Sequence, residues 1–90
     1  MYTYLENGYF IPLDEIIVAT DLDCFLKTAD GKAFFEAKRD KIINLSERKK
    51  YTIIITETLI YITSYSPKTI YKRGNEFNRI KNKGRLEKKD

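Results

Sequence analysis

Arg48, Lys49 and Lys50 stand side by side in the stretch LSERKKYTIII. Three adjacent cations can contact the phosphates of a polyanion. They can also be the solvated tip of a turn that keeps the following strand from pairing edge to edge with another chain. A single copy neutralises only a few phosphates and binds weakly, because salt sensitivity grows by about 0.9 per phosphate contacted. Several copies held on one assembly engage together at high effective concentration.

Asp21 and Asp23 are spaced i, i+2, so on a continuing strand they share a face and could hold a divalent ion or act as an acid/base pair. Two carboxylates fall far short of the roughly six to eight oxygen ligands that calcium takes, and the pair reads instead as a strand end and a cap for the next element. Cys24 lacks the basic, accessible setting of a reactive thiol and reads as a half-buried small hydrophobe. The chain has no histidine, so no Ser-His-Asp triad, His-ligated zinc or His general base can be built from it. No catalytic role, cofactor or metal is expected.

Tyr2, Tyr4, Tyr9, Tyr51, Tyr61, Tyr65 and Tyr71 are many phenols for 90 residues. Aromatics among bases can stack on single-stranded bases, but along strands they pack on sheet faces or at subunit interfaces with one end wet. The net charge of +4 is unevenly spread: residues 1–40 hold eight acids and four bases, residues 41–90 thirteen bases and five acids. A basic carboxy-terminal half favours a polyanionic partner, nucleic acid before membrane.

The elements that must position these residues belong to one small domain, whose core is marginal. One cysteine excludes an intrachain disulfide and agrees with a reducing compartment, so oligomerisation is the remaining support. No apolar run approaches the roughly 18 residues of a membrane span. The start, MYTYLENGYF, lacks a signal-peptide pattern, and a cytoplasmic location is expected.

Tyr2 and Tyr4 alternate with Thr3 as in a short strand, and Asn7-Gly8 is a hairpin signal leading to a second strand that Pro12 ends or confines to an edge. Ile16, Ile17, Val18 and Ala19 suggest a third strand buried on both faces. A helix capped by Thr28 or Asp30 comes next, with Ala33, Phe34 and Ala37 inward and Gly31 weakening its first turn. Strands are expected over residues 42–45, 51–56 and 59–63. Ser66, Pro67 and Gly74 punctuate a last short helix as cap, first position and stop. The expected class is α+β: a small antiparallel sheet domain with a short central and a short C-terminal helix, in the order βββαβββα. Residues 74–90 are expected to be a basic extension, frayed or disordered.

In sequence order, MYTYL, NGYFIPLDEIIVATDLD, DKIINLSERKKYTIII and YITSYSPKTIYKR resemble the bacterial extracellular matrix regulatory protein family (RemA/RemB), nearest to the RemB type. The likeness runs over about residues 1–73, with IPLDEII, DLD and the late Ser-Pro helix its most specific pieces. It implies a small cytoplasmic α+β protein tied to control of biofilm-matrix genes. The related RemA type is a DNA-binding activator that assembles into rings, with paired arginines on the loop before the central strand. Those positions fall here on Arg48 and Lys49, with Lys50 beside them. A further basic DNA-contacting position of that type falls on Glu15, where an acid repels phosphate. The resulting expectation is a homo-oligomer, ring-shaped by analogy, that binds the backbone of double-stranded DNA through Arg48, Lys49 and Lys50. The alternative is an interaction module that assembles with a DNA-binding relative and modulates it.

Overall fold

The computed structural model describes residues 2–74. The extension expected over residues 74–90 therefore lies, past its first residue, outside the described part.

The chain opens with a hairpin of β1 (Tyr2–Glu6) and β2 (Tyr9–Pro12). Asn7 and Gly8 both adopt positive φ, 54° and 82°, which is the type I′ turn that matches strand twist. The register runs Tyr4 to Phe10 and then Glu6 to Tyr9, leaving Leu5 as the extra residue of a bulge. In a regular strand Glu6 would share the outer face of Tyr2 and Tyr4. The bulge turns it inward, and Leu5 and Glu6 are both buried.

A 3-10 turn, Leu13–Glu15, leads into β3 (Val18–Asp21), then α1 (Leu22–Lys27) and α2 (Ala29–Ala37). Next come a second 3-10 turn at Arg39–Lys41, β4 (Ile42–Asn44), β5 (Thr52–Ile55) and β6 (Ile60–Thr63). A final helix, α3, occupies residues 67–74 of the described part. Apart from the hairpin, the strands form one sheet in the order β3-β5-β6-β4. β3/β5 and β5/β6 are antiparallel and β4/β6 is parallel. The fold is thus α+β as expected, with a mixed sheet rather than a purely antiparallel one.

Both sheet faces are covered, which accounts for the unbroken apolar runs in β5 and β6. Ile54 and Tyr61 face Leu5, Ile11, Leu45 and Ile70, under the hairpin and α3. Ile53, Ile60 and Ile62 face the other way, onto Leu22, Phe25, Leu26 and Phe34 of the paired helices. Thr3 and Thr63, both fully buried, tie the hairpin layer down by donating to the carbonyls of Ile70 (2.7 Å) and Leu5 (3.1 Å).

Some elements depart from the sequence expectation. The third strand begins at Val18, not Ile16, and it is an edge strand, so Ile17 is 62% and Val18 38% exposed instead of buried on both faces. α1 is an additional element. Asp21 ends β3 and accepts a hydrogen bond from the Cys24 amide at 3.0 Å, which caps this helix. Leu22, Phe25 and Leu26 take its sheet-facing side, and Cys24 is consequently exposed rather than half-buried. On α2 it is Phe34 and Phe35 that pack inward, while Ala33 and Ala37 are exposed. Gly74 is the last described helical residue rather than a stop. It is buried, and a side chain there would come within 2.8 Å of the Leu13 methyls.

Thr28 caps α2 by accepting from the Gly31 amide at 2.9 Å. Gly31 lies inside the first turn, and a Cβ there would strike the carbonyl of Phe25 and approach Thr28 Oγ1 to 2.6 Å. Alanine normally favours a helix interior over glycine by about 1 kcal/mol. Here backbone has to move, so Gly31→Ala is expected to destabilise by about 1–3 kcal/mol, measurable by urea unfolding.

Candidate nucleic-acid interface

The basic loop owes its place to sheet topology. β4 and β6 end together, and β5, which starts at that same end, lies on the far side of β6. The connection from β4 to β5 must therefore arch over the carboxy-terminal end of β6. Its feet are fixed by Leu45 N–H donating to Ile62 O (2.8 Å) and Tyr51 N–H donating to Thr63 O (3.0 Å). Asn44 Oδ1 accepts from the Ser46 amide (3.0 Å) and hydroxyl (2.5 Å), closing the first bend.

The central support is Glu6, aimed here by the bulge. It is 4% exposed and accepts four hydrogen bonds: from Ser64 N (2.7 Å), Ser64 Oγ (2.5 Å), Thr63 Oγ1 (2.9 Å) and Glu47 N (3.1 Å). One carboxylate thereby joins the hairpin, the end of β6 and the arch. Burial by itself would raise its pKa, but donation from Ser64, Glu47 and Thr63 outweighs that and holds it at about 2, against an ordinary 4.5.

The sign of this displacement sets a pH dependence. A depressed folded-state pKa means the contribution is fully present above about pH 4.5 and is lost as pH falls through about 2. Unfolding free energy is expected to be level from pH 7 to 5 with respect to this group. It should then lose about 3 kcal/mol approaching pH 2. Glu6→Gln should lack that portion of the acid limb in pH-dependent denaturation.

At the top of the arch Arg48, Lys49 and Lys50 are exposed. They make no hydrogen bond or ion pair among the described residues, whereas Arg39 is joined to Glu36 at 3.0 Å. Three cations with all donors unspent, on an arch whose feet are fixed, are arranged to meet an anion. Arg48 offers a planar fork for two phosphate oxygens, and the lysines act as point charges.

The acidic pair, Cys24 and the tyrosines do not gather into a second centre. Asp21 is committed to its cap and Asp23 lies in the first turn of α1, so they are not partners on one strand face. Among the described residues no group of three or more His, Cys, Asp or Glu is placed to hold a metal. Tyr4, Tyr61 and Tyr65 are packed in, while Tyr2, Tyr9, Tyr51 and Tyr71 stay exposed. Arg73 lies over the Tyr65 ring at 4.0 Å and the Tyr4 ring at 5.3 Å, and donates to the Tyr4 carbonyl at 3.3 Å, clamping α3 to the hairpin. Burial raises the Tyr61 phenol, with Glu15 and Tyr9 adding to the effect. Glu15 stands before β3, at the end of the sheet where Asp14 and Glu57 also cluster, opposite the basic arch.

Sequence reasoning does not single out Glu6. The one signal for it is an acid closing a strand whose far partner is the hydroxyl-rich TSYS, residues 63–66. No family model matches the chain, and no curated protein matches it.

Proposed function

We propose that this chain is an oligomeric, cytoplasmic DNA-binding regulator of extracellular matrix genes that contacts the duplex backbone through Arg48, Lys49 and Lys50. The observation that carries the reading is the braced arch with three exposed, unpaired cations at its top. The biological assignment rests on the likeness of residues 1–73 to the RemA/RemB family. Binding is dominated by phosphate contacts, so one arch is weak and repetition around a homo-oligomer supplies affinity. No helix among the described residues is long and apolar enough to cross a membrane.

A second reading is favoured by Glu15, which stands with Asp14 and Glu57 in an acidic recess. In that reading the chain is an interaction module that joins a DNA-binding relative and adjusts it. Light scattering of the purified protein, with and without a duplex at two salt concentrations, separates the two. A multimer that gains mass with duplex at low salt and loses it at high salt supports the first. No gain at low salt, together with co-elution with a related DNA-binding protein, supports the second.

A further inference from the structure

At the end of the sheet opposite the arch lies an open groove of about 910 Å³. Ile17, Val18, Phe25, Phe34, Leu59 and Ile60 line it. Its apolar surface is continuous with the exposed side chains of Ile17 and Val18 on the edge strand. A patch of this kind marks a surface that something covers. Adjoining it, and sharing Ile17, Thr56, Glu57 and Thr58, is the recess that holds Asp14 and Glu15. One side of the groove is therefore acidic, while Lys38 and Lys41 stand on the side of α2.

We propose that this groove receives residues 75–90 of the same chain. Three observations agree on that occupant. First, the described chain ends at Gly74, which lies directly against Leu13, the residue before Asp14 and Glu15. Residues 75–90 thus set out from the rim of the acidic recess. Sixteen residues reach about 24 Å as helix and about 50 Å extended, so reach is not limiting. Second, the segment carries six bases, including Arg79, Lys81 and Lys83, against three acids. That charge suits Asp14, Glu15 and Glu57 and is repelled by Arg48, Lys49 and Lys50 at the other end. Third, Phe77 and Ile80 provide two large apolar side chains within six residues of the exit point, as an apolar groove requires. Docking there covers Ile17 and Val18, leaves the arch free, and does not depend on whether the arch binds DNA.

The test uses the full chain with its one cysteine, the exposed Cys24, changed to serine. Thr58→Cys on the groove rim is paired with Asn78→Cys, and exposed Lys49→Cys with Asn78→Cys serves as the comparison. Under mild oxidation at about 10 µM, the Thr58 pair is expected to close within one chain at least about tenfold faster than the Lys49 pair, because docking raises the local concentration above that of the tether alone. Adding Phe77→Ser and Ile80→Ser is expected to abolish the difference. The same two substitutions in the otherwise unaltered chain should shift the methyl resonances of Ile17, Val18 and Leu59. Equal closure rates for the two pairs, a disulfide formed between chains, or indifference to Phe77 and Ile80 would each overturn the proposal.

Discussion

Glu6→Gln is expected to lower the unfolding free energy by about 2–4 kcal/mol, and Glu6→Ala by about 3–5 kcal/mol. The buried carboxylate satisfies two backbone amides and two hydroxyls, all as charge-assisted bonds, which are about twice as strong as neutral ones. Glutamine keeps one acceptor oxygen but turns the other position into a donor, which then opposes N–H and O–H groups that are themselves donors. Alanine leaves all four without a partner. In a domain of this size 1 kcal/mol moves the melting temperature by about 4–8 °C, so the glutamine variant should melt roughly 10–25 °C lower. Amide exchange at Glu47 and Ser64 should quicken before global unfolding, because those two N–H groups lose their acceptor directly. A loss below about 1 kcal/mol would contradict the role given to this residue.

Arg48→Ala with Lys49→Ala is expected to leave stability within about 0.5 kcal/mol of the parent, because neither side chain has a partner among the described residues. Its effect falls on binding. At 0.1 M salt each phosphate contact contributes roughly eightfold relative to 1 M, so removing two per subunit weakens the duplex complex by about sixtyfold for each engaged arch. The weakening should be uniform across sequences, since phosphate contacts carry no base information. Fluorescence anisotropy on unrelated duplexes measures it. Glu6→Gln should also weaken binding at temperatures where it remains folded, through a freed arch with its charges intact. That contrast separates positioning the cations from supplying them.

Local signals are legible where a residue type admits one conformation. Asn7-Gly8 announces its turn, Pro12 the end of β2, Thr28 and Ser66 their helix caps, and the apolar runs of β5 and β6 a sheet covered on both faces. The features hidden from the sequence depend on partners distant in the chain. The edge position of β3 is set by strand order, which alternation within residues 16–21 does not encode. α1 is too short for a period to stand out, and the Asp21 that caps it reads equally well as a strand end. Gly74 is small because Leu13 lies against it, 61 residues away, and not because a helix must stop. Within the site, the three cations are visible in the sequence and their brace is not. Glu6 turns inward only because a bulge at Leu5 shifts the register by one residue, and the donors it meets lie about 40 and 58 residues further on.

The claim that the arch carries the polyanion contact is tested most directly by the salt dependence of duplex affinity, for the parent chain and for Arg48→Ala with Lys49→Ala. On a plot of log affinity against log salt concentration, the substituted chain should have a slope shallower by about 2 for each arch engaged, at about 0.9 for every phosphate no longer neutralised. Two parallel lines of equal slope would place the contact elsewhere on the molecule and remove these residues from it.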